Sequence, residues 1–124
     1  MMNTQKTILI VDDDYTIKRL FHFILKDDYD GEFLFAANGQ EALEMCQLHQ
    51  PEMVLMDIVM PIMDGITSMK KMRSSGYKNP IIAVSSYANA EKTKFIASGA
   101  SNVISKPASK QQILDQLKYI KGVS

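Results

Sequence analysis

Thr7-Ile-Leu-Ile-Val-Asp-Asp-Asp14 begins with five β-branched or apolar residues and ends in three carboxylates. A strand with one wet face alternates apolar and polar residues. A strand covered on both faces does not, so this run predicts an interior strand of a parallel sheet. Met53-Val-Leu-Met56 and Pro80-Ile-Ile-Ala-Val84 read the same way, and Glu32-Phe-Leu-Phe-Ala36 and Ser101-Asn-Val-Ile104 add two shorter runs. Segments with helical spacing lie between them. Ile17, Leu20, Phe21 and Ile24 stand at i, i+3, i+4 and i+7, which predicts an apolar stripe on one helix, and Ile113, Leu117 and Ile120 repeat it near the C-terminus. Asn38 before Glu41 and Ser109 before Gln112 have capping-box spacing, and Asp14 and Asp64 are placed to cap the helices that follow them. Gly76 and Gly99 fall where the third and fourth helices should stop. Five strands, each followed by a helix, imply right-handed crossovers and an open parallel α/β sheet.

Composition bounds the function from outside. The 124 residues carry 14 Lys and Arg against 14 Asp and Glu, with 46% hydrophobic and 23% charged residues, as expected of one globular domain spanning 1–124. The balanced charge leaves no electrostatic footprint for direct nucleic-acid or membrane-surface binding. No apolar run is long enough to span a bilayer, and the polar start over residues 1–7 is no signal peptide, so a cytoplasmic protein is expected. The single cysteine, Cys46, has no disulfide partner and reads as a small buried hydrophobe.

Ligands of open parallel sheets bind beyond the carboxyl ends of the strands. Here the first strand ends in Asp12, Asp13 and Asp14, the third in Asp57 and the fourth in Ser85 and Ser86, while the fifth runs into Lys106 and Pro107. Carboxylates brought together repel and call for a cation. Hard oxygen ligands with room for water and substrate suit Mg²⁺. A Mg²⁺ ion, a carboxylate nucleophile, a hydroxyl and a lysine are the parts that phosphoryl transfer needs. Asp12, Asp13, Asp57 and Lys106 together leave a formal charge of −2 that one Mg²⁺ would balance.

These motifs resemble the receiver domain of two-component response regulators. The matching stretches are Ile8-Leu-Ile-Val-Asp-Asp-Asp14, Val54-Leu-Met-Asp-Ile-Val-Met-Pro-Ile-Met-Asp-Gly65, Ala83-Val-Ser-Ser86, Gly99-Ala100 and Lys106-Pro107. The resemblance implies a doubly wound, flavodoxin-like (βα)5 fold with strand order 2-1-3-4-5. It implies that Asp57 accepts a phosphoryl group from a histidine kinase or a histidine phosphotransfer protein. Asp13, Asp57 and the Val59 backbone carbonyl would hold Mg²⁺ directly, and Asp12 through water. Ser85 and Lys106 would meet the phosphoryl oxygens. Pro61 and Gly65 would let the loop after Asp57 bend so that a carbonyl faces the metal. The chain is then a signalling module rather than a turnover enzyme, with a protein target and possible weak dimerisation. With no effector domain after Ser124, output by protein binding is expected.

Two positions depart from the family pattern. Val103 stands where receivers ordinarily carry an aromatic residue that rotates on activation, and Ala108 follows Pro107 in place of a larger side chain. Ser85, Tyr87 and Val103 are therefore the candidate switch residues, with Tyr87 the candidate to replace the missing ring. Two other readings compete. Asp12-Asp13-Asp14-Tyr15-Thr16 also spells the D-x-D-x-T motif of haloacid-dehalogenase-like phosphatases, with Asp12 as nucleophile and Asp14 as acid–base. That family needs a further acidic pair after the lysine, and only Asp115 follows Lys106. The third reading is a receiver-like scaffold that works without phosphorylation. His22 and His49 fall on helices away from the strand ends, and Met53, Met56, Met69 and Met72 sit at packing positions.

Overall fold

A computed structural model describes residues 6–120 of the chain. The polar start (apart from Lys6 and Thr7) and the end at Ser124 lie outside the described residues. Five strands and five helices alternate: β1 (Thr7–Val11), α1 (Tyr15–Leu25), β2 (Glu32–Ala36), α2 (Gly39–His49), β3 (Met53–Asp57), α3 (Gly65–Ser74), β4 (Ile81–Ser85), α4 (Ala88–Ala97), β5 (Asn102–Ser105) and α5 (Lys110–Asp115). A turn of 3-10 helix, Gln116–Tyr119, extends α5. All strand pairs are parallel and their order is β2-β1-β3-β4-β5. The doubly wound sheet implied above is therefore the fold of the chain.

Continuous apolar runs became strands buried on both faces. Every residue of β1, β3 and β4 is buried. Leu9, Val11, Val54, Met56, Ile81 and Ala83 face a core completed by Met69, Met72 and Phe95 of α3 and α4. Ile8, Ile10, Met53, Leu55, Ile82 and Val84 face the other core, completed by Phe21 and Leu25 of α1 and Ile113 of α5. The methionines singled out in the sequence are packing residues.

Three details differ from the sequence expectation. β4 and β5 begin one residue later than the apolar runs suggested, because Pro80 has no N–H for the ladder and Ser101 instead anchors the turn, its N–H on the Ile81 carbonyl. The stripe of α1 runs through Ile17, Phe21, Ile24 and Leu25, leaving Leu20 at its margin, 46% exposed. Only the Ser109–Gln112 capping box closes fully. Asn38 accepts from the Glu41 N–H at 2.9 Å, but the Glu41 carboxylate accepts from Ala37 N–H, one residue early. Gly76 and Gly99 follow α3 and α4 with φ of 99° and 123°, left-handed positions that a side chain would strain. No helix among the described residues is long and apolar enough to cross a membrane.

Candidate functional site

The sheet brings the expected residues to one edge. Asp12 follows β1 directly, and its N–H extends the ladder by donating to the Ala36 carbonyl at 3.1 Å. Asp57 and Ser85 lie inside the ladder, as the last residues of β3 and β4, in register with Val84 and Ser105. Both side chains are therefore fixed by strand hydrogen bonds rather than carried on loops, and both are buried. Lys106 follows β5, and its N–H donates to the Ser85 carbonyl at 3.1 Å.

The ammonium of Lys106 lies 2.9 Å from Asp12 Oδ2 and 3.1 Å from Asp57 Oδ1. Asp12 Oδ1 also accepts from the Asp14 N–H at 2.8 Å, which turns its carboxylate toward the lysine. Asp13 is exposed, yet one oxygen each of Asp12, Asp13 and Asp57 lies within 4.8 Å of the others. Burial, then the charge of Asp12, pushes the Asp57 carboxyl above its ordinary range, although Lys106 and the Ile58 N–H oppose the shift. Burial pulls Lys106 down, but its hydrogen bonds to Asp12 and Asp57 carry it above its ordinary value. Both directions agree with two buried carboxylates sharing a single ammonium. The donor set fits a hard divalent cation: clustered carboxylate oxygens, an excess of negative charge, and an open cavity of about 300 Å³ bounded by Asp13, Val59, Ser86 and Tyr87.

The loop between β3 and α3 is held by its glycine for a reason the sequence reading missed. A Cβ on Gly65 would run into the Asp57 carbonyl oxygen and would lie 2.9 Å from Ile58 Cα. The Gly65 N–H donates to the Ile58 carbonyl at 2.8 Å, so the loop closes directly onto the strand that carries Asp57. Close approach, not unusual backbone angles, demands glycine here. The residue in the left-handed region is Ile62, with φ of 70°. Asp64 caps α3 through the Thr67 N–H at 2.8 Å.

Other candidates separate clearly. Asp14 lines the cavity but caps α1, accepting from the Thr16 N–H at 2.8 Å, so its carboxylate is engaged away from the cluster. Tyr87 is 58% exposed at the rim, and its N–H donates to Ser85 Oγ at 3.0 Å, a contact no sequence signal announces. Val103 is half-buried against the α2–α4 core, and Ala108 packs against the opposite core. His22 packs its ring on Phe33 and Phe35, and His49 ends α2, exposed. A groove of about 410 Å³ between α1 and β2 is lined by Tyr15, Lys18, Arg19, His22 and Phe35 and contains none of the clustered carboxylates.

The model of the response regulator receiver domain matches residues 8–118. The chain belongs to this family. The receiver is 35% identical over 116 residues to the chemotaxis protein CheY of Halobacterium salinarum, covering 93% of this chain and 96% of that protein. Some other curated relatives are longer, and this receiver spans 48% of one and 17% of another. Among solved structures, a CheY-like receiver from Methanospirillum hungatei superposes with a TM-score of 0.82 at 31% identity, covering 93% of this chain and 92% of that one. A chain of the CheX–CheY–BeF3–Mg²⁺ complex from Borrelia burgdorferi superposes with a TM-score of 0.80 at 29% identity, covering 90% of this chain and 86% of that one. The receiver is thus a signalling module of the two-component type.

Proposed function

We propose that this receiver takes a phosphoryl group from a phosphohistidine of a sensor kinase or histidine phosphotransfer protein onto Asp57. The observation that carries the reading is the meeting of Asp12, Asp13 and Asp57 carboxylates with Lys106 beside the Ser85 hydroxyl at one sheet edge. An Asp57 oxygen attacks phosphorus, the P–N bond to the donor imidazole breaks, and the imidazole keeps the electron pair and takes up a proton. Asp12, Asp13, Asp57 and the Val59 backbone carbonyl would hold Mg²⁺, which when bound offsets the clustered negative charge and that of the incoming phosphoryl oxygens. Lys106 exchanges its contact with Asp57 for one with a phosphoryl oxygen, staying on Asp12. The Ser85 hydroxyl donates to a second oxygen. Phosphorylation then shifts the population of a protein-binding surface rather than driving turnover, and the module works in the cytoplasm as one unit over residues 1–124.

The test is incubation with Mg²⁺ and acetyl phosphate, or with beryllium fluoride, followed by mass-spectrometric mapping. Adduct formation on Asp57 is expected. Labelling of Asp12 would instead favour the phosphatase chemistry, and neither labelling nor beryllofluoride binding would leave a scaffold.

A further inference from the structure

β2 lies at one end of the sheet and pairs with β1 alone among the described strands. The Glu32 N–H donates to the Lys6 carbonyl at 2.9 Å, and the Ala36 carbonyl accepts from the Asp12 N–H at 3.1 Å. The even-numbered residues of β2 therefore turn their backbone groups inward, and in a strand the direction alternates from residue to residue. Phe33 and Phe35 turn their N–H and C=O groups outward, where no partner meets them among the described residues. Such an edge is a template for another strand, and proteins ordinarily blunt it with a lysine, a proline or a bulge. β2 has none of these: it reads Glu-Phe-Leu-Phe-Ala, and its register with β1 is unbroken from Glu32 to Ala36. Its single charge, Glu32, stands at the first position and on the α2 side of the sheet with Leu34.

On the α1 side, the groove of about 410 Å³ runs along this edge. Phe35, 41% exposed, forms its floor with the His22 ring, edge-on at 5.7 Å. Tyr15, Lys18 and Arg19 form its wall. Arg19 Nη1 donates to the Tyr15 hydroxyl at 3.1 Å, and neither Lys18 nor Arg19 makes an ion pair among the described residues. The groove is thus cationic along its wall and aromatic along its floor, on a chain with no net charge. It shares no lining residue with the cavity at Asp57.

We propose that β2 is a docking edge for an acidic, extended segment of a partner protein, which adds to the sheet as a sixth strand. The backbone of that segment satisfies the outward groups of Phe33 and Phe35, and every second side chain enters the groove. Lys18 and His22 are four residues apart on α1, about 6 Å along the helix axis, and two residues of an extended strand cover about the same distance. A carboxylate on one groove-facing residue meets Lys18 and Arg19, while the next, an aromatic or apolar side chain, lies on His22 and Phe35. A second copy of this chain is a poorer occupant, because pairing two β2 edges brings two cationic grooves together with no carboxylate between them. The docking edge is separate from the phosphoryl pocket and stands independently of its chemistry.

The probe is a blocked heptapeptide that alternates threonine with glutamate, tyrosine and glutamate, titrated into the isotope-labelled chain and followed by NMR. The amides of Lys18, Arg19, Phe33 and Phe35 should shift, and exchange at Phe33 and Phe35 should slow about fivefold or more at saturation. Replacing both glutamates by lysine removes the ion pairs, and methylating the peptide's backbone nitrogens removes strand pairing. Each change should weaken binding about tenfold or more. The double variant Lys18→Glu with Arg19→Glu should lose the acidic peptide and gain the lysine peptide, its spectrum outside α1 showing that it is folded. No shift at millimolar acidic peptide overturns the proposal. Equal binding of the lysine peptide also overturns it, since the edge is then merely adhesive, and so does equal binding of the methylated peptide, which leaves a groove for small anions. Shifts at Phe33 and Phe35 on concentrating the chain alone, with faster sedimentation, overturn it as well, because the edge then belongs to a second copy.

Discussion

Replacing Lys106 by methionine keeps the apolar stem and removes the ammonium that bridges Asp12 and Asp57. The two contacts are 2.9 and 3.1 Å, and the side chains are 26% exposed for the lysine and 3% and 6% for the aspartates. At an effective dielectric near 20, each contact is worth about 5 kcal/mol of attraction before desolvation is counted. Desolvation cancels much of this, and deleting one partner of a buried ion pair costs about 3–5 kcal/mol net. The partial exposure of Lys106 screens its charge, which places the expected loss near the low end, about 3 kcal/mol. For a chain of this length that lowers Tm by roughly 10–15 °C. Lys106 and Mg²⁺ would neutralise the same carboxylates, so the variant should bind Mg²⁺ more tightly than wild type. At saturating metal, each tenfold gain in affinity adds about 1.4 kcal/mol of stability, or roughly 5 °C. Thermal unfolding in EDTA and in excess Mg²⁺, for wild type and Lys106→Met, gives all four values. If the variant melts with wild type in EDTA, or gains no more than wild type from Mg²⁺, the picture of a lysine holding the cation's place is wrong.

Asp57→Asn is expected to raise Tm at neutral pH in EDTA. The folded Asp57 carboxyl titrates above its ordinary value of 3.8, so the stability its proton supplies is present below that value and is lost as pH rises through the folded pKa. The variant's advantage should therefore shrink as pH falls toward the ordinary carboxylate range, and a pH-independent difference would refute the assignment. Gly65→Ala should cost about 3 kcal/mol or more in urea unfolding, because its Cβ meets strand backbone at Asp57 and Ile58 rather than a flexible side chain; wild-type stability would show that the loop relaxes freely. The Cys46 thiol is 1% exposed and pushed up to about 12 by burial, so a thiol reagent at mildly alkaline pH should label the folded chain about a hundredfold or more slowly than the unfolded one. Comparable labelling rates would mean that α2 opens readily.

Much of the architecture was legible in single stretches. Strand burial on both faces follows from runs such as Thr7-Ile-Leu-Ile-Val11, and helix ends follow from Asp14, Asp64, Ser109, Gly76 and Gly99, because each of these signals acts within a few residues of itself. The residue types and their order along the chain also named the candidate site, since acids, a hydroxyl and a lysine at successive strand ends are the parts of one chemistry.

What tertiary structure decided was which of those groups touch and which are occupied elsewhere. Asp12, Asp13 and Asp14 are adjacent and chemically identical, yet one is buried against Lys106, one is exposed with an oxygen near the cluster, and one caps a helix. Leu20 matched the apolar stripe and lies at its margin, because the tilt of a helix on its sheet is set by all its neighbours. Gly65 is required by the Asp57 carbonyl it approaches, and Arg73 reads in sequence as one more helix-end cation until the turns it joins are brought together. Local sequence determines backbone conformation and which faces are apolar. The partners of Asp57, Lys106 and Arg73 depend on parallel crossovers that place distant strand ends and turns side by side, so their contacts, and the charge balance those contacts create, exist only in the folded chain.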